Sequence, residues 1–582
     1  MKLIDALKLV NDRAKDLGSA HRLSLACGFT PLHLKTFFAA QLVKRTDAGA
    51  VLVDVGLFGD LLGTLRRLAE PVAEGPTAVA ILLEWSDLDP RLGWRTTHGW
   101  RPDKLNDIAD SAARRLDEFT AAIESLAQHR SVAVSLPTIP LPPLFRGPTT
   151  SVDPVAASLR ARLQHFAASL AALPRVRVLD EQWLSDRSPA HARHDPQADL
   201  RSGFPYRIEH AVVLAEGLAD LLKPAAAKKG IITDLDNTFW RGIVGEDGVA
   251  NVAWDIDHRA LGHGLYQELL ASLADAGVLL AVASKNDRRV VAAAFERSDL
   301  VLTAQQLFPI EAHWGPKSQS VSRILQAWNI HQDSVVFIDD SPAELAEVAS
   351  VFPQITGLQF PSGDEAGIVR LLQQLRSLCG KSVVTDEDRI RLSSLRASHT
   401  VATSTSDPDD FLSQAEAVVS LQWNQPDART LELINKTNQF NLNGRRWDES
   451  DWHARLADPQ TFVLSVSYSD KYAPLGKIAV VVGRQTDSGV LLIDAWVLSC
   501  RAFSRRIEHA TVRALFEHFE CDALQFDFAP TDRNGPLQET LQQLVGQSPS
   551  SPVTLLKSQF VITSPQLFAQ VETHEQPLAI SA

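Results

Sequence analysis

The sequence predicts an α/β protein of three consecutive domains, at 1–225, 226–382 and 383–582. Three observations predict it. Short apolar runs alternate with helical stretches over the first 225 residues, the pattern of a parallel sheet covered on both faces. The alternation continues to 382, but there the apolar runs end in charged and hydroxyl residues. Beyond 383 three longer apolar runs follow one another directly, as in an α+β domain with a central antiparallel sheet.

In the first domain the strand runs are 22–26, 50–55, 78–83 and 131–136, with helices expected at 102–128 and 152–171. This is a doubly wound pattern with proline-rich loops, notably 137–143. The polar stretch 186–202 holds His191 and His194, and His210 follows in the next helix. No element converges these histidines, so a solvated loop is expected there rather than a metal site.

Composition narrows the function class. Lys and Arg number 57 against 70 Asp and Glu, a net charge of −13 that argues against a general duplex-DNA binder. The chain is 45% hydrophobic and 22% charged, ordinary for a globular protein. Four scattered cysteines form neither a disulfide framework nor a CxxC metal site, so a reducing, cytoplasmic location is expected. No apolar run approaches the roughly 18–20 residues of a membrane span. The first residues read as the start of an amphipathic helix rather than a signal peptide.

The chemistry concentrates between 231 and 345. The strand run 231–233 delivers Asp234-Leu235-Asp236-Asn237-Thr238, and ligands of open parallel sheets bind at strand carboxyl ends. Two carboxylates at this spacing can divide the work between nucleophile and acid/base. A second strand, 278–283, ends at Ser284-Lys285-Asn286-Asp287, offering a hydroxyl and polar groups to a phosphoryl oxygen. Lys317 opens a helix at 318–328, where its cation can neutralise phosphate and crowded carboxylates. A third strand, 334–338, ends at Asp339-Asp340-Ser341-Pro342. Hard oxygen donors of this kind suit Mg²⁺, with Asp234, the backbone carbonyl of Asp236 and Asp339 as ligands. Between Asp234 and Ser284 there is room for a flap (239–256) and one helix (261–276) but no large cap, which leaves the centre open to a phosphate carried by something bulky.

These four elements, in this order, resemble the motifs of the haloacid dehalogenase superfamily. The resemblance implies a Rossmann-like central domain, Asp234 as nucleophile, Asp236 as general acid/base, and Mg²⁺ held by Asp234, Asp236 and Asp339 with Asp340 in support. It implies phosphate binding by Ser284 and Lys317, with Lys285 and Asn286 beside them. DLDNTFWRGIVGEDG (234–248), SKND (284–287) and FIDDSPAE (337–344) look like the FkbH-like branch, which is associated with polyketide and related assembly lines. KTNQFN (436–441) and LSCR (498–501) extend that resemblance into the third domain, which looks similar to a GNAT-type acyltransferase. The first domain resembles the SGNH hydrolase extension of longer FkbH-like proteins, but has Cys27-Gly28-Phe29-Thr30 where a Gly-Asp-Ser block is expected. A docking or assembly role is therefore expected of it.

What the resemblance implies is a glyceryltransferase/phosphatase acting on 1,3-bisphosphoglycerate and an acyl carrier protein, with neither nucleic acid nor membrane as partner. Cys500, beside Arg501 at a strand end, is the candidate acyl-carrying thiol, and a small buried hydrophobe is an equal reading of it. Cys27 is a weaker rival, and Cys379 and Cys521 read as structural. Arg501, Arg505 and Asn438 are the candidate pantetheine contacts. Ser504 and Arg506 stand where acyltransferases of this fold place glycines, against close backbone–phosphate approach. The competing classes are an Mg²⁺-dependent phosphatase of another metabolite or sugar, and a non-catalytic assembly protein.

Overall fold

A computed structural model describes all residues except 15–19, 47–48, 71–75, 98–100, 146–147, 149, 382–383, 386–387, 394, 397–407, 472–473, 487–488, 500–501, 504 and 576–582. The chain forms two compact units, Met1–Ala225 and Ala226–Ala582.

The first unit holds a five-stranded parallel sheet ordered β2-β1-β3-β4-β5, from β1 (Ala20–Cys27), β2 (Ala50–Val55), β3 (Ala78–Leu82), β4 (Ser131–Ser135) and β5 (Val176–Val178). Two helix layers cover it. Leu3–Arg13, Leu32–Val43 and Ile208–Leu222 form one, and Leu61–Ala69, Leu105–Ala127 and Pro154–Ala171 the other. Every residue of β3 is buried, as a central strand between two layers requires.

The solvated loop expected at 186–202 is not what forms. Asp180 and Asp195 cap two short helices, Glu181–Arg187 and Pro196–Ser202, which fold the polar stretch onto the domain. His194 and His210 are buried, and only His191 is exposed. His194 Nε2 lies 2.9 Å from the Asp199 carboxylate, and His210 lies between Ser188 Oγ (2.8 Å) and Thr138 Oγ1 (3.0 Å). Burial pushes the His210 pKa down to about 3, so the ring is neutral.

The second unit contains two sheets. The central one is parallel and ordered β10-β9-β6-β7-β8, from β6 (Gly230–Thr233), β7 (Leu279–Ser284), β8 (Leu307–Ala312), β9 (Val335–Asp339) and β10 (Thr356–Gln359). Side chains alternate across it, as the pleat dictates. Ile231, Leu280 and Val336 pack with Leu270 and Leu375 on one face, and Ile232, Ala281 and Phe337 pack with Val321, Ile324 and Trp328 on the other. Strand order reverses between β6 and β9, so a crevice opens at their carboxyl ends. Packing of this body continues past 382. Leu395 joins the core beside Trp328, and Arg391 and Arg396 donate to the carbonyls of Gly277 and Leu307.

The other sheet has seven strands, ordered β16-β15-β14-β13-β12-β11-β17. They are β11 (Val418–Trp423), β12 (Thr461–Ser469), β13 (Pro474–Gln485), β14 (Val490–Leu498), β15 (Ala523–Phe526), β16 (Val553–Leu556) and β17 (Gln570–Glu575). β11 to β14 are antiparallel, while β14–β15 and β11–β17 pair in parallel. β15 ends at Phe526, and the chain then enters a turn in which Asn534 accepts from Thr531 N and donates to Ala529 O. β14 and β15 pair only over four residues, then diverge. The chain fills that opening itself: Leu442 N donates to Trp496 O (3.0 Å), Leu498 N to Phe440 O (3.1 Å) and Ala529 N to Leu442 O (3.2 Å).

One position tests the central packing. A Cβ on Gly230 would stand 2.4 Å from Trp328 Cζ3. Gly230→Ala should therefore lower stability by about 1–3 kcal/mol, read as a lower urea midpoint at unchanged slope.

Candidate active site

The crevice between β6 and β9 collects the motif residues. Asp234 follows the last residue of β6, Asp339 ends β9, Ser284 ends β7, and Lys317 begins the helix Lys317–Trp328. All four are buried. Lys317 Nζ lies 2.7 Å from Asp234 Oδ1 and 2.5 Å from Asp339 Oδ2, so one ammonium bridges carboxylates from two adjacent strand ends. Glu347 accepts from Ser318 N (3.0 Å) and fixes the start of that helix. Asp339 Oδ1 accepts from Ser341 N (3.0 Å).

Asp236 is held differently. Its Oδ1 accepts from Trp240 Nε1 (2.9 Å) and Val244 N (3.0 Å), and its Oδ2 from Asn286 Nδ2 (2.8 Å). Asn286 also donates to Ser284 Oγ (3.0 Å), tying the second motif to the first. The flap residues Phe239, Trp240, Val244 and Trp254 are core members, so this segment is packed in place. Lys285 extends to the rim, where its ammonium lies 2.6 Å from Glu344 Oε1.

Three carboxylates converge. One oxygen each of Asp234, Asp339 and Asp340 lie within 4.8 Å of one another. An all-oxygen, acidic donor set of this kind fits a hard divalent cation. The Asp236 carboxylate is occupied by Trp240, Val244 and Asn286, which leaves its backbone carbonyl as the ligand it can offer. Burial raises the Asp234 pKa to about 7, against the pull of Lys317 and with a push from Asp339. Asp340 is also raised, by burial and by Asp339. Electrostatic crowding of this degree is what a bound cation relieves.

Sequence reasoning missed the grip on Asp236 by Trp240 and the Val244 amide, and the roles of Glu344 and Glu347. The aromatic at 240, four residues beyond Asp236, was the available signal for the first. The other contacts carry no local signature.

The remaining expected residues lie elsewhere. Cys500, Arg501 and Ser504 fall outside the described residues. Arg505 is largely buried, over the Tyr468 ring and 3.6 Å from Asp470, so its charge is answered within the protein. Arg506 adopts φ 58° immediately before the helix Ile507–Phe519, a left-handed position that favours glycine, and its guanidinium turns to Asp409 and the Gln566 carbonyl. Asn438 accepts from Arg446. Cys27 is buried, and burial pushes its thiol up to about 12; Cys379 rises likewise to about 11. In the first unit the buried Glu84 accepts from Thr138 and Tyr206, a closed network rather than an exposed nucleophile–base pair.

No family model and no curated protein matches the chain. Among solved structures, the N-terminal part of a Bacteroides fragilis protein, containing a phosphatase domain complexed with Mg, aligns with TM-score 0.52 and 20% identity. That alignment covers 66% of this chain and 100% of that chain, and the likeness is one of fold. An uncharacterized Corynebacterium glutamicum protein aligns at TM-score 0.19 and 16% identity, over 26% of this chain and 98% of that one. Among the described residues no helix is long and apolar enough to cross a membrane.

The raised Asp234 pKa has a measurable sign. Below about pH 7 the carboxyl is protonated, so an incoming cation must displace that proton. Adding Mg²⁺ to the chain in weak buffer at pH 6.5 should acidify the solution, and the release should fade above pH 8. Asp234→Asn should remove it.

Proposed function

We propose that the second unit is a Mg²⁺-dependent phosphatase of the haloacid dehalogenase type. The observation that carries this reading is the convergence of Asp234, Lys317 and Asp339 in the β6/β9 crevice, with Asp236 held beside them by Asn286. Asp234, Asp339 and the Asp236 carbonyl would hold the cation, with Asp340 in support. When bound, Mg²⁺ draws charge from the phosphoryl oxygens and offsets the repulsion among these carboxylates. The Asp234 carboxylate attacks phosphorus and the ester oxygen leaves, taking the proton that Asp236 carries. Asp236, as a base, then deprotonates the water that cleaves the aspartyl phosphate and releases inorganic phosphate. Lys317 and Ser284 stand where the transferring group's negative charge needs partners.

In its finer form the proposal is an FkbH-like glyceryltransferase/phosphatase with a GNAT-like C-terminal domain and an SGNH-like N-terminal docking domain. The Cys500 thiolate would attack the acyl phosphate carbon of 1,3-bisphosphoglycerate, expelling phosphate and forming a thioester. The 3-phosphate would be removed at Asp234. The glyceryl group would then pass to the thiol of an acyl carrier protein, returning the Cys500 thiol. Motif resemblance at 436–441 and 498–501 supports this form. The filled opening between β14 and β15 argues against a pantetheine arm bound between those strands.

Intact-protein mass spectrometry tests both forms. The full chain is incubated with Mg²⁺, 1,3-bisphosphoglycerate and a holo carrier protein. A glyceryl adduct on the carrier, lost with Cys500→Ala, is the outcome expected of the finer form. Phosphate release without any adduct restricts the protein to a phosphatase. Asp234→Asn should abolish dephosphorylation, and turnover that survives it would overturn the nucleophile. Asp236→Asn should slow alkyl phosphates by about 10²–10⁴-fold, and nitrophenyl phosphate far less, because that leaving group needs no proton.

A further inference from the structure

Opposite the catalytic crevice, at the amino ends of the central strands, a cleft of roughly 830 Å³, solvent included, separates the two sheets of the second unit. Its floor is apolar, from Leu279, Trp328, Leu395, Leu433 and Leu498. Lys229, Arg391, Arg429 and Lys436 also line it. The carboxylates that answer these cations are shared. Arg429 and Lys436 divide the single carboxylate of Glu432, at 2.7 and 2.5 Å, and Arg391 shares Asp388 with Lys381. Lys229 Nζ donates to the Lys436 carbonyl.

Two lining side chains carry buried polar atoms with no hydrogen-bond partner among the described residues, Arg429 Nε and Gln439 Oε1. Leaving such atoms unpaired costs about 1–3 kcal/mol each. One is a donor and one an acceptor, the complement of an anionic oxygen with a hydroxyl or amide nearby. From these observations we infer that the cleft is a binding site for a phosphate ester borne on a partly apolar chain, separate from the Asp234 centre. Several cations, two of them planar guanidinium forks, suit the paired oxygens of a phosphate, and the apolar floor suits the attached chain.

The two sites cannot hold the same small phosphate at once. The helix Lys317–Trp328 runs from one to the other, and its 12 residues span about 18 Å. Leu498 and Ser499, at the end of β14, also line the cleft. The ligand could be a free phosphorylated metabolite or the phosphate of a pantetheine arm, and the test separates them.

Calorimetric titration of the full chain, without divalent cation, uses pantetheine 4′-phosphate and 3-phosphoglycerate as probes and unphosphorylated pantetheine as control. One phosphorylated probe should bind at least tenfold more tightly than the control. The tighter of the two identifies the source. Arg429→Gln and Lys436→Met should each weaken it tenfold or more. Lys436 is 46% exposed, so its replacement leaves the fold intact and keeps the test decisive if Arg429→Gln melts early. Absence of binding by both probes, or affinity unchanged in Lys436→Met, overturns the proposal. Neither result bears on catalysis at Asp234, which the titration does not use.

Discussion

A single ammonium group holds the β6/β9 crevice together. Lys317 Nζ sits between Asp234 and Asp339, which the parallel sheet delivers to neighbouring strand ends with Asp340 one residue on. Buried carboxylates so close repel one another and resist ionisation, and removing one partner of such a cluster leaves an uncompensated buried charge. The position of Lys317 therefore governs whether the buried carboxylates are compensated. That position is set from several directions. Glu347 fixes the start of the helix, and Trp328, packed over Gly230, anchors its far end against the amino end of β6.

The same helix gives the second unit its polarity. Its amino end faces the carboxylates, and its carboxyl end forms part of the cationic cleft between the two sheets. The Asp234–Asp339 crevice and the cationic cleft thus fall on opposite edges of one sheet. A reaction using both would need a substrate that leaves one and reaches the other, or a long flexible arm. The flap around Trp240 is anchored in the core beside the crevice.

The C-terminal sheet shows how one local departure redirects a fold. β14 and β15 diverge after four paired residues, and the 440–442 segment takes up the freed hydrogen bonds of β14. Backbone groups exposed by a splayed sheet must be satisfied, and here the chain does so itself. Arg506 keeps the left-handed backbone that a glycine-rich turn would use, but sends its side chain to Asp409.

The central strands and the four residues that meet in the crevice were legible in the sequence because both signals are local. An apolar run of four to six residues is a buried parallel strand, and polar residues at its carboxyl end are where ligands bind. Asp234, Ser284 and Asp339 needed only that rule, and Lys317 its place at the start of a helix between them. Short edge strands such as β5, β10 and β16 were not legible, since three or four residues at a sheet margin carry little periodicity. His194 looked solvated because Asp199 meets it only once the short helix Pro196–Ser202 forms, and the partners of His210, Ser188 and Thr138, lie 22 and 72 residues away. Arg505 looked available for the same reason, with Tyr468 and Asp470 far away in sequence. Sequence alone determined which polar and charged residues stand at the carboxyl ends of the central strands. Only the tertiary structure decided which charges are already answered within the protein and that the carboxylate crevice and the cationic cleft lie at opposite ends of one helix about 18 Å long. Pairing and distance depend on long-range contacts that no local pattern encodes.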